Sequence, residues 1–448
     1  MKTIGGRCRA ALLMGTAFLL LAFAAGAQAQ NQYSQGQPSN SNPTSNDNAW
    51  PYATNSTTGK LPLLVVVGDV ACQPGEEPSG EKAGENCSGD TAQNLVLSQA
   101  ATAQQIENMK PDLIALVGDE QYQVGQYSDF ENSYELSYGA FKFLTRPAPG
   151  NHEFYTEHGA VGVAGYGYFS YFNGVQHNAD GTVMTATIAN NPDTAGTFTQ
   201  PVPYSDGQAG HFEQSGGLGN TVPAGGPVGV GDGWYSYNLG SWHLISLNIE
   251  CETQPGGCSA TGPWFAAELA WLKNDLAANQ AECTLAYWHQ PTYSAANGLG
   301  EEGTTAQSFW QLLYEFGADV VLNGHDHLYA RYRPLDASGN FDPRKGIREF
   351  IVGTGGETLD TVVTTDTTAA DPSGNPNFNA QNLEASTGQF WGVMGLTLTQ
   401  NGYAWDFESA LKDPAQPAGG PHYSDKGFGT CHGAGNRGGY NNPGQNGR

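Results

Sequence analysis

In the second half of the chain Val320, Val321 and Leu322 run into Asn323-Gly324-His325-Asp326-His327. An apolar β-branched run that stops at a glycine predicts a buried strand closing on a tight turn, with two imidazoles at its carboxyl end. Open α/β sheets hold their ligands at that end. Spaced two apart, His325 and His327 can reach one small region while Asp326 points elsewhere. A solvated or hydrogen-bonded histidine pair has the same local sequence, so the motif draws its meaning from the rest of the chain.

The pattern recurs. Residues 63–67 and 113–117 read as buried strands that end at Gly68-Asp69 and at Gly118-Asp119-Glu120-Gln121-Tyr122. Pro147 and Pro149 precede Gly150-Asn151-His152-Glu153, and a strand over 284–288 leads to His289-Gln290-Pro291. Four of these five ends place glycine directly before the first polar residue, where the chain must turn sharply and let backbone approach a bound group. Singly, each has a plainer explanation: Asp69 or Asp119 could cap a turn, Asn151 could stabilise a left-handed bend, and His289 could be a core histidine.

Between the strands, periodicity predicts helices over 91–109 (with Asp90 as N-cap), 130–143, 263–278 and 304–316. A hairpin is expected over 234–239 and 243–248 with Gly240-Ser241 at its turn, and further strands over 347–352, 393–399 and 403–408. Residues 154–233, rich in Gly, Asn, Thr and Tyr, read as a long insertion that either walls a cleft or decorates the surface. The tail beyond Pro414 is rich in Gly, Pro and Asn, and Cys431 is its one expected anchor. No internal repeat occurs, and one elaborated α/β domain over 61–412 is expected.

Five such strand ends in this order resemble the signature of the calcineurin-like metallophosphoesterase superfamily, from about residue 63 to 352. Tyr122 three residues after Asp119, with Ala71 where most branches carry histidine, resembles the purple acid phosphatase branch, here expected as a bacterial secreted member. The resemblance implies a four-layer α/β/β/α sandwich with ligands at strand C-terminal ends. It also implies two cations: Asp119 bridges them, Asp69, Tyr122 and His327 complete the first site, and Asn151, His289 and His325 the second.

Two cations about 3.5–4 Å apart can hold a hydroxide and clamp a phosphoryl group in an in-line displacement. A phenolate ligand favours Fe(III) in the Tyr122 site, with Zn, Fe(II) or Mn in the other. By the same resemblance His152 contacts the phosphoryl oxygens and protonates the leaving alkoxide. An aspartate often stands at position 122 in the family to orient this histidine, so with Tyr122 the partner of His152 is open. Glu153 could orient it or bond the fold. Arg331 could hold a phosphate oxygen or pair with a carboxylate, and Gly353-Thr354-Gly355-Gly356 reads as a backbone turn, because it lacks the lysine and helix of a P-loop.

Lys2, Arg7 and Arg9, the apolar stretch 10–25 and Ala27-Gln28-Ala29 predict a secretory signal peptide cut after Ala29. Residues 30–60 read as a flexible polar leader. The chain carries 43 acidic against 18 basic residues, a net charge of −25, which disfavours nucleic-acid binding. No later segment could span a membrane, and no protein partner is evident.

Export favours disulfides, and sequence proximity suggests Cys72–Cys87 and Cys251–Cys258, leaving Cys283 to tie the sheet to Cys431; a thiolate metal site is the competing reading. The function expected is an exported phosphate monoesterase, using a metal-bound hydroxide with His152 as general acid on a small phosphorylated substrate. A phosphodiesterase or nucleotidase with the same centre is the alternative, and a non-catalytic phosphate-binding module a third. A metallo-β-lactamase would need His-x-His-x-Asp-His, but Leu328, Tyr329 and Ala330 follow His327.

Overall fold

The computed structural model describes residues 60–72, 92–154, 165–188, 198–202, 233–252, 254, 256–296, 303–363, 379–410 and 421–433. The expected signal peptide, the polar leader up to residue 59, Cys87, Asp90 and the last 15 residues lie outside them. Among the described residues no helix is long and apolar enough to cross a membrane.

Strand Leu63–Val67 is apolar at every position, and it is buried on both faces because it lies between sheet neighbours and between layers. It pairs in parallel with Leu113–Val117, which pairs in parallel with Thr145–Ala148. On its other side it pairs antiparallel with Gly392–Thr399, which continues to Gly402–Ser409 and Ser424–Thr430. A second, seven-stranded sheet runs Leu383–Thr387, Tyr329–Tyr332, Arg348–Val352, Val320–Asn323, Cys283–Tyr287, Trp242–Ser246, Tyr235–Leu239. Its four central strands, from Arg348–Val352 to Trp242–Ser246, are mutually parallel.

Alternation along the strands builds three apolar layers. Leu64, Val66, Ala115 and Val117 meet Leu244, Leu285, Leu322 and Phe350 between the sheets. Val65, Val67, Ile114 and Leu116 face outward onto Ala103 and Ile106 of helix Ala92–Met109. On the far side Ile245, Ala286, Val321 and Ile351 pack under Phe265, Leu272, Phe309 and Leu313 of helices Pro263–Ala278 and Gly303–Phe316. The result is an α/β/β/α sandwich, and each fully buried aliphatic side chain contributes roughly 1.5–3 kcal/mol. The parallel strands of both sheets end on one rim.

Two expectations are corrected. The continuous helix over 130–143 is instead a helix Tyr127–Asn132 followed by 3₁₀ turns Tyr134–Leu136 and Tyr138–Leu144. Ser133 and Ser137 interrupt it because they serve tertiary partners: Ser133 Oγ donates to the Cys72 carbonyl at 3.1 Å, and Ser137 Oγ accepts from Gln99 Nε2 at 2.7 Å. These breaks turn Tyr134, Tyr138 and Phe141 into the core, where Phe130 stacks on Tyr171 of the buried helix Tyr166–Asn173.

Cys431 is not the sole anchor of the tail, since Ser424–Thr430 adds an edge strand to the first sheet. Gly427 is needed there because a Cβ would lie 2.2 Å from the Trp405 ring. Asp425 is fixed by Tyr329 Oη at 2.7 Å and Arg331 Nε at 2.7 Å. Disulfides join Cys251 to Cys258 and Cys283 to Cys431, as expected; the partner proposed for Cys72, Cys87, is not among the described residues.

Candidate metal centre

The rim where the parallel strands end gathers the polar residues of all five motifs. Asp69, Asp119 and His325 each adopt a positive φ, of 59°, 51° and 69°. Non-glycine residues held there are strained, and such strain persists where surrounding structure over-determines the conformation. The preceding glycines permit the crowding. Gly118 has φ 93° and a Cβ there would strike His289 Nδ1 at 2.3 Å, while one on Gly150 would lie 2.1 Å from Asp119 Oδ1.

The contacts fall into two groups that meet at a single atom. In the first, the Tyr122 hydroxyl stands 2.8 Å from Asp69 Oδ1, 2.9 Å from Asp119 Oδ2 and 3.0 Å from His327 Nε2. In the second, Asn151 Oδ1 is 3.1 Å from both His289 Nε2 and His325 Nδ1, and His289 Nε2 is 3.0 Å from Asp119 Oδ2. Asp119 Oδ2 therefore touches both. Its other oxygen is occupied, since the His152 backbone N–H donates to Asp119 Oδ1 at 2.9 Å.

Orientation comes largely from backbone. His289 Nδ1 sits 2.8 Å from the Val117 carbonyl and His327 Nδ1 2.7 Å from that of Thr358. A carbonyl only accepts, so both rings carry the proton on Nδ1 and turn Nε2 inward. The His325 backbone N–H holds Asp69, with Oδ2 at 3.0 Å. The partner of His152 is also backbone: its Nδ1 lies 2.7 Å from the Gln123 carbonyl, and its ring packs on Tyr122 with centroids 4.2 Å apart.

The electrostatics follow from this crowding. Burial would raise Asp119, but the His289 and His152 imidazoles outweigh it and hold the carboxyl far below its usual range. Against burial, Asp119 pushes His289 up to about 10. Burial, then the neighbouring His289, drives His325 well below the ordinary imidazole value. Burial with Asp119 and Asp69 raises the Tyr122 phenol well above 10. Lone-pair donors facing one another at about 3 Å are reconciled only by a shared proton or a cation, and carboxylate, phenol, amide and imidazole together suit cations of intermediate to hard character. Asp119, His289 and His325 bring their ligand atoms within 4.8 Å of one another. Cys283, Asp319 and Cys431 are equally close, but there the sulfurs are joined as a disulfide.

From the sequence Glu153 has two roles open to it. It does not orient the His152 ring; its carboxylate accepts from three backbone N–H groups, Gly150 at 2.8 Å, Asp119 at 3.0 Å and Gln121 at 3.1 Å. Glu120, buried beside it, has its carboxyl raised well above normal by burial and then by Glu153. Asp360 was missed altogether: its Oδ2 accepts the His327 backbone N–H at 2.8 Å, and nothing in the local sequence marks it. Arg331 pairs with Asp425 and Glu384 rather than facing the centre. The Gly353–Gly356 turn packs against Asp69 and Val70, beside the site.

The profile of the calcineurin-like phosphoesterase family matches residues 62–329. Among individual relatives, purple acid phosphatase 15 of Arabidopsis thaliana is 33% identical over 102 residues, covering 22% of this chain and 18% of its own length. An acid phosphatase of Aspergillus ficuum is 28% identical over 149 residues, covering 25% and 24%. The chain thus spans about a fifth to a quarter of the length of these curated relatives. A purple acid phosphatase structure from yellow lupin (Lupinus luteus) seeds aligns with a TM-score of 0.46 at 15% identity, over 82% of this chain and 53% of that one. With more than half of its length matched, and with the five strand ends gathered on one rim, the chain belongs to the calcineurin-like phosphoesterase family and is similar within it to the purple acid phosphatases.

Proposed function

We propose that this protein is an exported hydrolase of phosphate monoesters working through a dinuclear metal centre. The observation that carries the reading is Asp119 Oδ2, which lies within 3.0 Å of both Tyr122 Oη and His289 Nε2 and so joins two groups of ligand-type atoms. In this reading Asp119 would be shared between two cations, with Asp69, Tyr122 and His327 holding the first and Asn151, His289 and His325 the second if both are bound. A buried phenol beside two carboxylates ionises only against a strongly charged cation, which favours Fe(III) in the Tyr122 site; Zn, Fe(II) or Mn suits the other. When bound, the pair supplies the charge that activates water and neutralises a phosphoryl group.

The chain's own residues do the rest. His152, with Nδ1 committed to the Gln123 carbonyl, presents Nε2 3.8 Å from Asp119 Oδ2, at the edge of the ligand cluster. There it can bind a phosphoryl oxygen and deliver a proton to the departing alkoxide. The carboxylates, held by the His152 and His325 backbone N–H groups, keep their second oxygens aimed inward without reorganisation during turnover. Export rests on the basic, apolar and small-residue pattern of residues 1–29. The full sequence carries a net charge of −25, which would steer anions poorly, so attraction of a phosphate must be local.

The test is metal analysis with a visible spectrum, followed by assay of a phosphate monoester and a diester with the same leaving group. Two metals per chain, a coloured iron-phenolate centre and faster monoester turnover are expected. Preferential diester cleavage would replace the monoesterase with the phosphodiesterase alternative. Absence of turnover in protein loaded with two metals would leave only a phosphate-binding module.

A further inference from the structure

Behind the His325–His327 turn, on the helix-covered face of the seven-stranded sheet, five buried oxygens have no hydrogen-bond partner among the described residues. They are Asp326 Oδ1, Glu349 Oε2, Thr292 Oγ1, Tyr332 Oη and Asn323 Oδ1. None of these residues is more than 1% exposed. An unpartnered buried polar atom is destabilising, the more so when charged, so their grouping calls for a compensating ligand.

Connectivity places them together. Glu349 pairs with Val321 and Ile351 with Asn323 on adjacent parallel strands, so Glu349 and Asn323 share one face. Tyr332 follows Arg331, which pairs with Phe350, and alternation returns it to that same face beside Glu349. The loop after His289 closes over them: the backbone N–H groups of Thr292 and Tyr293 donate to Glu349 Oε1 at 3.0 and 3.3 Å, and Ser294 Oγ donates to Asp326 Oδ2 at 2.5 Å. Each carboxylate thus has one oxygen tied to this loop and the other without a donor.

The set contains oxygen alone, with two carboxylates and no nitrogen or sulfur. Oxygen-only sets suit hard cations, and two negative charges suit a divalent one. Water could satisfy the hydrogen bonds of a neutral, protonated pair, whereas two ionised carboxylates facing each other in an apolar layer need a cation between them. We propose that Asp326, Glu349, Thr292, Tyr332 and Asn323 form a buried structural site for a hard divalent cation of the calcium type. It is separate from the candidate metal centre and braces it from behind through Asp326, which lies between His325 and His327.

The experiment uses the full chain, stripped of calcium and then gel-filtered after exposure to calcium alone. The wild type should retain about one equivalent, and its thermal midpoint should rise with added calcium. Glu349→Gln separates the alternatives by sign. If the carboxyl is merely protonated, its amide isostere binds and unfolds like the wild type, which overturns the proposal. If it is a ligand, the variant retains no calcium and its midpoint ignores the ion. Thr292→Val keeps the test alive should that variant fail to fold, and should weaken calcium binding about tenfold. A wild type that retains no calcium and whose midpoint is indifferent to it overturns the site, whatever the phosphatase assays give.

Discussion

The Glu153 carboxylate accepts the backbone N–H of Asp119 at 3.0 Å, across 34 positions of sequence. With Gly150 and Gln121 as its other donors, it joins the turns that carry Asp119, Tyr122, Asn151 and His152. Asp119 sits at φ 51°, a conformation that needs such support.

Glu153→Gln should therefore disturb the centre more than its size suggests. An amide keeps one acceptor oxygen but turns an NH₂ group toward a backbone donor, leaving a buried N–H unpaired at a cost of about 1–3 kcal/mol. Lower metal occupancy at equal metal concentration is expected, together with a reduced urea midpoint. Full occupancy with unchanged unfolding would show that the turns hold themselves.

Tyr122→Phe addresses the phenol alone. The ring packs on His152 and forms an edge contact with His327, and phenylalanine preserves both. Stability should stay within about 1 kcal/mol of the wild type, while turnover falls by roughly 10- to 100-fold and any visible band disappears. A variant that keeps the wild-type colour would remove Tyr122 from the ligands.

His152 can be tested through the leaving group. His152→Ala should lower turnover of an alkyl phosphate by about 10²–10⁴, because the departing alkoxide needs a proton. A nitrophenyl phosphate, whose leaving group departs unprotonated, should lose much less. Equal losses on the two substrates would assign His152 to binding rather than proton transfer.

These side chains were legible because each stands at the end of an apolar run that must be a strand, next to a glycine that must be small. Gly118 and Gly150 mark the two closest approaches to the candidate ligand side chains, His289 and Asp119, and both are written into the local sequence. What orients the side chains was not legible. The Val117, Gln123 and Thr358 carbonyls carry no side-chain signature, and Asp360 reaches His327 from 33 positions away. The strand Ser424–Thr430 was hidden for a related reason. Its glycines read as loop, yet Gly427 lies under the Trp405 ring, and Asp425, paired with Phe407 in the ladder, is held across the sandwich by Tyr329 and Arg331.

One carboxylate away from the centre sets a pH dependence of stability. Asp129 is 6% exposed, and burial pushes its carboxyl up to about 6, only partly opposed by a hydrogen bond from Ser128. A raised acid value means the folded state holds the proton more tightly than the unfolded chain. Its favourable contribution is therefore complete below about pH 4 and is lost as pH rises through 6. Asp129→Asn, which cannot ionise, should match the wild type near pH 4 and exceed it at pH 7 by on the order of 2 kcal/mol. Urea midpoints of the two proteins across this range give the difference directly, with every other titrating group cancelling in the comparison. A constant difference from pH 4 to 7 would mean that Asp129 ionises as freely in the fold as in the unfolded chain.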